Sequence, residues 1–99
     1  MRYIVLLIIS MMLCGAAMAK DLSQNEALKL REAGTIIALD ELLTRIDNRY
    51  PNARLLDIEL DEEDERYVYE VELITRDGVV RELLINAATG AILEDEIDD

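Results

Sequence analysis

Between Tyr50 and Leu56 the spacing of apolar residues changes from helical to alternating, and Pro51 marks the change. Before it, Leu39, Leu42, Leu43, Ile46 and Tyr50 fall at i, i+3, i+4, i+7 and i+11, one stripe down a helix. Asp40 and Glu41 suit the positive end of its dipole, and Arg45 and Arg49 the negative end. Pro51 disfavours a helical conformation at Tyr50 and stops the element. Thr35 either caps this helix or belongs with Ile36 and Ile37 to a short extended lead-in. After Pro51, Leu56, Ile58 and Leu60 alternate with Asp57, Glu59 and Asp61, which predicts a half-buried strand. Asp61 to Glu65 reads as a charged turn. The next strand places Tyr67, Tyr69, Val71 and Leu73 on one face and Glu70 and Glu72 on the other. Asp77-Gly78 predicts a hairpin with a tight primed turn. A third strand follows from Val79 to Ile85, its inward face left open by Val80, Leu83, Leu84 and Ile85. Thr89-Gly90 then allows a turn into a short edge strand, Ala91 to Leu93.

No helical segment separates these strands, so the expected class is α+β: an antiparallel β-meander of three to four strands with a helix packed on one face. Leu39, Leu42, Leu43, Ile46, Leu56, Ile58, Leu60, Tyr69, Val71 and Leu73 are the core candidates. Ahead of them, Ser23-Gln24-Asn25-Glu26 has the form of a capping box, and Gly34 suits a left-handed stop. A short N-terminal helix is therefore expected within residues 20–35. Residues 36–94 form the main domain, and 95–99 an acidic tail expected to fray.

The first nineteen residues have a different character. Arg2 supplies a positive charge, Ile4 to Leu13 is apolar apart from Ser10, and Ala17-Met18-Ala19 gives a small-x-small ending. That is the layout of a secretory signal, with cleavage expected after Ala19 and a periplasmic or secreted product. The apolar stretch is short for a membrane span. Lipid attachment at Cys14, against which the large Leu13 argues, and retention of the segment as an uncleaved anchor are the weaker alternatives.

Nine basic and 22 acidic residues follow Ala19, a formal charge of −13. Such a surface repels phosphate backbones and anionic lipid, and favours cationic partners. Residues 20–99 contain no Cys, His, Trp or Phe, and their one serine, Ser23, is accounted for as a helix cap. The usual nucleophile–base pairs and soft metal ligands are thus missing, which argues against catalysis. Carboxylates are plentiful, but acid–base work needs a pocket that separates their environments. A domain of this size buries only about 60% of its unfolded surface and has little room for a deep cavity.

The helix ending in Tyr50-Pro51-Asn52, the strand from Tyr67 to Leu73, the Asp77-Gly78 turn and the closing Ile85-Asn86-Ala87-Ala88-Thr89-Gly90-Ala91-Ile92-Leu93 resemble, in order and spacing, the PepSY family. The resemblance spans about Ile36 to Glu94. Asn86 stands where that family usually carries Asp; its short side chain is still expected to cap the following turn. The resemblance implies a small extracytoplasmic domain that is not an enzyme. Related domains occur in the pro-regions of thermolysin-like metallopeptidases, where inhibition or assisted folding is proposed. With no peptidase following in this sequence, action in trans on a peptidase or an envelope sensor protein is expected.

Two binding chemistries compete. A short sheet must have edges that can accept a partner's strand, with the acidic face steering a basic partner there, although Glu94, Asp95 and Glu96 could blunt the last edge. Alternatively Asp61, Glu62, Glu63, Asp64 and Glu65 offer hard oxygen ligands for Ca²⁺, without a glycine to bend the backbone or the spacing of an EF-hand. No cofactor other than that cation is implied, and no oligomeric state follows from the sequence.

Overall fold

A computed structural model describes residues 20–98. The signal-like segment, its cleavage point after Ala19 and the alternative at Cys14 lie outside the described residues.

Two helices pack against an antiparallel sheet of four main strands and one two-residue strand, the α+β arrangement expected. In chain order the elements are β1 (Lys20–Asp21), α1 (Gln24–Glu32), α2 (Leu39–Arg49), β2 (Arg54–Glu63), β3 (Arg66–Ile74), β4 (Val80–Asn86) and β5 (Ile92–Ile97). Their order across the sheet is the sequence order, a meander. Among the described residues, no helix is long and apolar enough to cross a membrane.

Helix α1 begins as its sequence dictates. Ser23 Oγ accepts from the Glu26 amide at 3.2 Å, and the Glu26 carboxylate accepts from the Ser23 amide at 3.4 Å. Both halves of the capping box are present. Thr35 does not cap α2: the N-cap residue is Ala38, at an extended ψ of 154° and with no side-chain cap bond, while the Thr35 and Ile36 amides donate back to Leu30 O at 2.9 and 3.4 Å and close the end of α1. The Ile37 amide donates to Ala87 O at 2.8 Å, which ties the lead-in to the end of β4.

The core lies between α2 and the inner face of the sheet. Leu42, Tyr69, Val71, Leu73, Leu83, Ile85 and Ala87 are almost completely enclosed, and Ala27, Ile36, Ile46 and Leu60 join them. Leu83 and Ile85 resolve the inward face of β4, because they lie opposite Val71 and Tyr69. Three expected core residues are corrected. Leu39 and Leu43 remain 40% and 38% exposed. Leu39 overhangs from the first turn of α2, and Leu43 lies about 100° round the helix from Leu42, on the rim of the stripe. Leu56 is 47% exposed because the β2–β3 register slips between Leu55 and Asp57, making Leu56 the extra residue of a bulge. Leu55 takes the inward place opposite Leu73.

The turns also depart from expectation. Asp61, Glu62 and Glu63 are strand residues, and the β2–β3 turn is only Asp64-Glu65, at φ +49° and +65°. This is the primed geometry, built without glycine. At the predicted hairpin only Gly78 has positive φ (+86°), in a β-turn closed by its amide on Thr75 O at 2.9 Å. The final turn keeps its cap: Asn86 Oδ1 accepts from the amides of Ala88 and Thr89 at 2.9 and 3.3 Å. Gly90 meets the φ of +82° that this turn needs, and a Cβ there would displace the exposed end of the Arg45 side chain.

The acidic tail does not fray at Asp95. Strand β5 runs to Ile97, and Asp95 turns inward opposite Leu83. Its carboxylate accepts from Arg49 at 2.8 Å, from Arg81 at 2.7 Å, and from the Tyr50 hydroxyl in a short bond. The end of α2 is thereby clamped to β4 and β5.

Candidate functional site

Alternation along each strand sends one set of side chains to the helices and the other to the helix-free face. On β2 the outward set includes Asp57, Glu59 and Asp61; on β3, Glu70 and Glu72; on β4, Glu82; on β5, Glu94 and Glu96. The strand registers bring these acids into direct opposition. Glu59 faces Glu70, Asp57 faces Glu72, Glu72 faces Glu82, and Glu82 faces Glu96. Like charges directly across a ladder are destabilising, so this face costs the fold energy.

The tightest grouping is Glu59, Asp61 and Glu70, whose carboxylate oxygens lie within 4.8 Å of one another. Glu70 responds to it. A hydrogen bond shared with Asp61, partial burial and the nearby Glu82 push its carboxyl up to about 7. Glu72 is raised as well, first by a hydrogen bond with Asp98. The helix side shows the opposite response. Burial alone would raise Asp95, but hydrogen bonds from Tyr50, Arg81 and Arg49 outweigh it and hold the carboxyl below its usual range.

The run proposed for Ca²⁺ is not gathered into one place. Asp61 lies on the outer face, Glu62 on the opposite face beside Lys20, Glu63 opposite Arg66, and Asp64 and Glu65 form the turn. Only Asp61 enters the trio, and its companions come from elsewhere on β2 and from β3. Sequence reading missed Glu59 and Glu70 because their proximity is a register fact. The two-residue turn was the available signal: with Glu63 opposite Arg66, counting back along both strands puts Glu59 opposite Glu70.

A second feature adjoins this face. Strand β1 pairs with β2 only at Asp61 and Glu62, and Leu22 donates to Leu60 O at 2.9 Å. From Arg54 to Glu59, β2 is an edge on that side among the described residues. Beside it opens a cleft of about 590 Å³ lined by Leu22, Leu28, Leu39, Ile58, Leu60 and Tyr69 together with the polar Ser23, Gln24, Asn25, Arg31 and Glu59. Tyr69 is fixed at its base, donating to Ile37 O and accepting from Arg31 Nε, both at 3.1 Å.

The architecture is an acidic meander backed by two helices, the first closed by a capping box. The family model for PepSY, described as "Peptidase propeptide and YPEB domain", matches residues 36–96, and the chain belongs to that family. It is also 33% identical over 75 residues to the uncharacterized protein YkoJ of Bacillus subtilis (strain 168). That alignment covers 76% of this chain and 44% of YkoJ, so the chain spans less than half of that relative's length. No solved structure matches it significantly. The family's domains are propeptide-like or regulatory in character.

Proposed function

We propose that this chain is a non-catalytic binding protein that acts outside the cytoplasm by engaging a cationic surface of a protein partner, restraining a peptidase or tuning an envelope sensor protein. The observation that carries the reading is the helix-free sheet face, where four pairs of carboxylates oppose one another across the ladder. A fold gains nothing from that arrangement alone; a partner bearing Lys or Arg relieves it on binding. Membership of a family named for peptidase propeptides supports a peptidase as the first partner to test. The secretory layout of residues 1–19 supports the location.

The test is inhibition of a secreted metallopeptidase from the same organism by added protein, at low and high salt. Inhibition that weakens with salt, and in the triple variant Glu59→Gln, Glu72→Gln, Glu82→Gln, supports the reading. Loss of periplasmic or secreted protein in a fractionation experiment contradicts the location. Divalent-cation binding is the second reading, favoured by the 4.8 Å grouping of Glu59, Asp61 and Glu70 rather than by residues 61–65. Calorimetry with Ca²⁺ tests it: millimolar Ca²⁺ that releases no heat and leaves the melting temperature unchanged removes it.

A further inference from the structure

We propose that the open stretch of β2 accepts an extended peptide of alternating apolar and basic residues, added to the sheet as a further strand with its apolar side chains in the cleft beside α1. The inference rests on the reading of this chain as a protein-binding module and names where, and to what, it binds.

Three observations converge on this edge. First, the edge already carries an added strand at its far end: Lys20 and Asp21 pair antiparallel with Glu62 and Asp61. The chain then leaves the edge at Leu22 to enter α1, so the line that β1 begins is vacated, among the described residues, alongside Ile58 and the residues before it. Leu60 directs its carbonyl to that side. Backbone groups of alternate residues turn to the same side of a strand, so the amide and carbonyl of Ile58 turn there too. The bulge at Leu56 sets the lower limit of regular pairing.

Second, a strand laid along this line has a place for its inward side chains. The cleft lies on the helix side of the edge, with Leu28 and Leu39 still 53% and 40% exposed on its walls and Ile58 and Leu60 on its floor. Apolar residues entering it cover surface that the domain itself leaves wet. Third, the outward side chains of the same strand meet acid. Glu59 is the edge member of the Glu59, Asp61 and Glu70 grouping, and Asp57 stands beside it opposite Glu72. Lys or Arg at alternate positions of the incoming strand faces these carboxylates, whereas Asp or Glu is repelled. The opposite edge, β5, also exposes Leu93 and Ile97 beside Glu94 and Glu96, but its hollow is smaller, about 290 Å³, and is lined in part by Arg66, which disfavours a basic strand.

The experiment titrates a short capped peptide alternating valine and lysine into isotope-labelled protein and follows backbone amides by NMR. Expected are shift changes from Arg54 to Leu60 and exchange of the Ile58 amide slowed by about tenfold or more. The same peptide N-methylated on its β2-facing amides should not bind, and Leu28→Lys, at an exposed position, should weaken binding by about tenfold. A peptide of identical composition with its valines and lysines in separate blocks is the control for charge attraction. If the block peptide binds equally well at these amides, or the N-methylated peptide is indistinguishable from the parent, strand addition is overturned. Shift changes confined to β5 or to the outer face overturn the edge assignment while leaving the binding reading intact. Binding by none of the peptides overturns the edge proposal, and salt-sensitive peptidase inhibition then judges the broader reading separately.

Discussion

Glu70 gives the outer face a measurable signature. Its carboxyl titrates near 7 in the folded protein, against 4.5 for an ordinary glutamate, because it shares a hydrogen bond with Asp61, is partly buried and stands near Glu82. A raised acid binds its proton more tightly when folded, so between pH 4.5 and 7 the native state holds more protons than the unfolded chain. Stability must then fall as pH rises through that window: the contribution is complete below the unfolded value and gone above the folded one. Undiluted, the shift corresponds to roughly 3 kcal/mol. Glu70 sits on an open sheet face, and solvent screening reduces the effect to about 1–2 kcal/mol. Glu72 is shifted in the same direction and reinforces the sign. Asp95 works oppositely but at lower pH, since its contribution is present above the ordinary aspartate range and lost as pH falls through its depressed folded value.

Urea unfolding followed by circular dichroism at constant ionic strength, from pH 4.5 to 8, reads this directly. The midpoint should be highest near pH 5 and decline toward pH 8, opposite to the rise usual for a protein rich in paired carboxylates. Glu70→Gln should flatten the decline and raise the midpoint at pH 8, because the amide keeps a donor toward Asp61 without the charge. Added salt should help at pH 8 more than at pH 5. A midpoint that is flat or climbs from pH 5 to 8, or a slope unchanged in Glu70→Gln, refutes the account of the face.

Three further perturbations separate elements that looked alike in sequence. Leu42→Ala should cost about 2–5 kcal/mol and Leu43→Ala no more than about 1, measured by denaturation midpoints, since only Leu42 is fully enclosed. Asp95→Asn should cost about 2 kcal/mol through the loss of charge-assisted bonds to Arg49 and Arg81, whereas Glu96→Gln, facing outward opposite Glu82, should be neutral or slightly stabilising. Glu65→Gly should stabilise by about 0.5–1 kcal/mol in thermal unfolding, because it removes a side chain held at φ +65°, less the greater freedom of glycine in the unfolded chain.

The fold class was legible because two strong local signals agreed. The helical stripe ended at Pro51 and the alternation began after it, so helix against meander followed before any contact was known. The Ser23–Glu26 capping box and the Asn86 turn were equally local, and both hold by hydrogen bonds within three residues. What failed depended on longer range. Leu56 alternates correctly with Ile58 and Leu60, yet the bulge turns it out, and a bulge is a mismatch between two strands that one strand's pattern does not contain. The Asp61–Glu65 run was misread because five successive charges suggest a solvated loop, while pairing with Val68, Tyr67 and Arg66 keeps the first three extended. Asp95 was misread for the same reason: its neighbours in sequence are acids, but its neighbours in space are Arg49, Arg81 and Tyr50.

That last contrast bears on function. Most of the strand acids of this chain share one face. On the helix side, Asp95 is met by Arg49 and Arg81, which bind the end of α2 to β4 and β5, and Glu41 is met by Arg45 within α2. On the other side, apart from Glu63 opposite Arg66, strand pairing sets carboxylate against carboxylate, and Glu70 and Glu72 are raised, first by hydrogen bonds with Asp61 and Asp98. If negative charge served solubility alone, mixing it with basic residues across the ladder would do as well and would not destabilise the sheet. Concentrating it on one uncovered face, next to an edge whose cleft exposes Leu28 and Leu39, makes sense when a second surface completes the charge pattern. The cost to the isolated domain is then recovered on binding, and partner affinity should rise with pH over the same interval in which the free protein loses stability, as Glu70 gives up its proton. Affinity that is constant from pH 5 to 8 while stability declines would separate the two and leave the acidic face without a role in recognition.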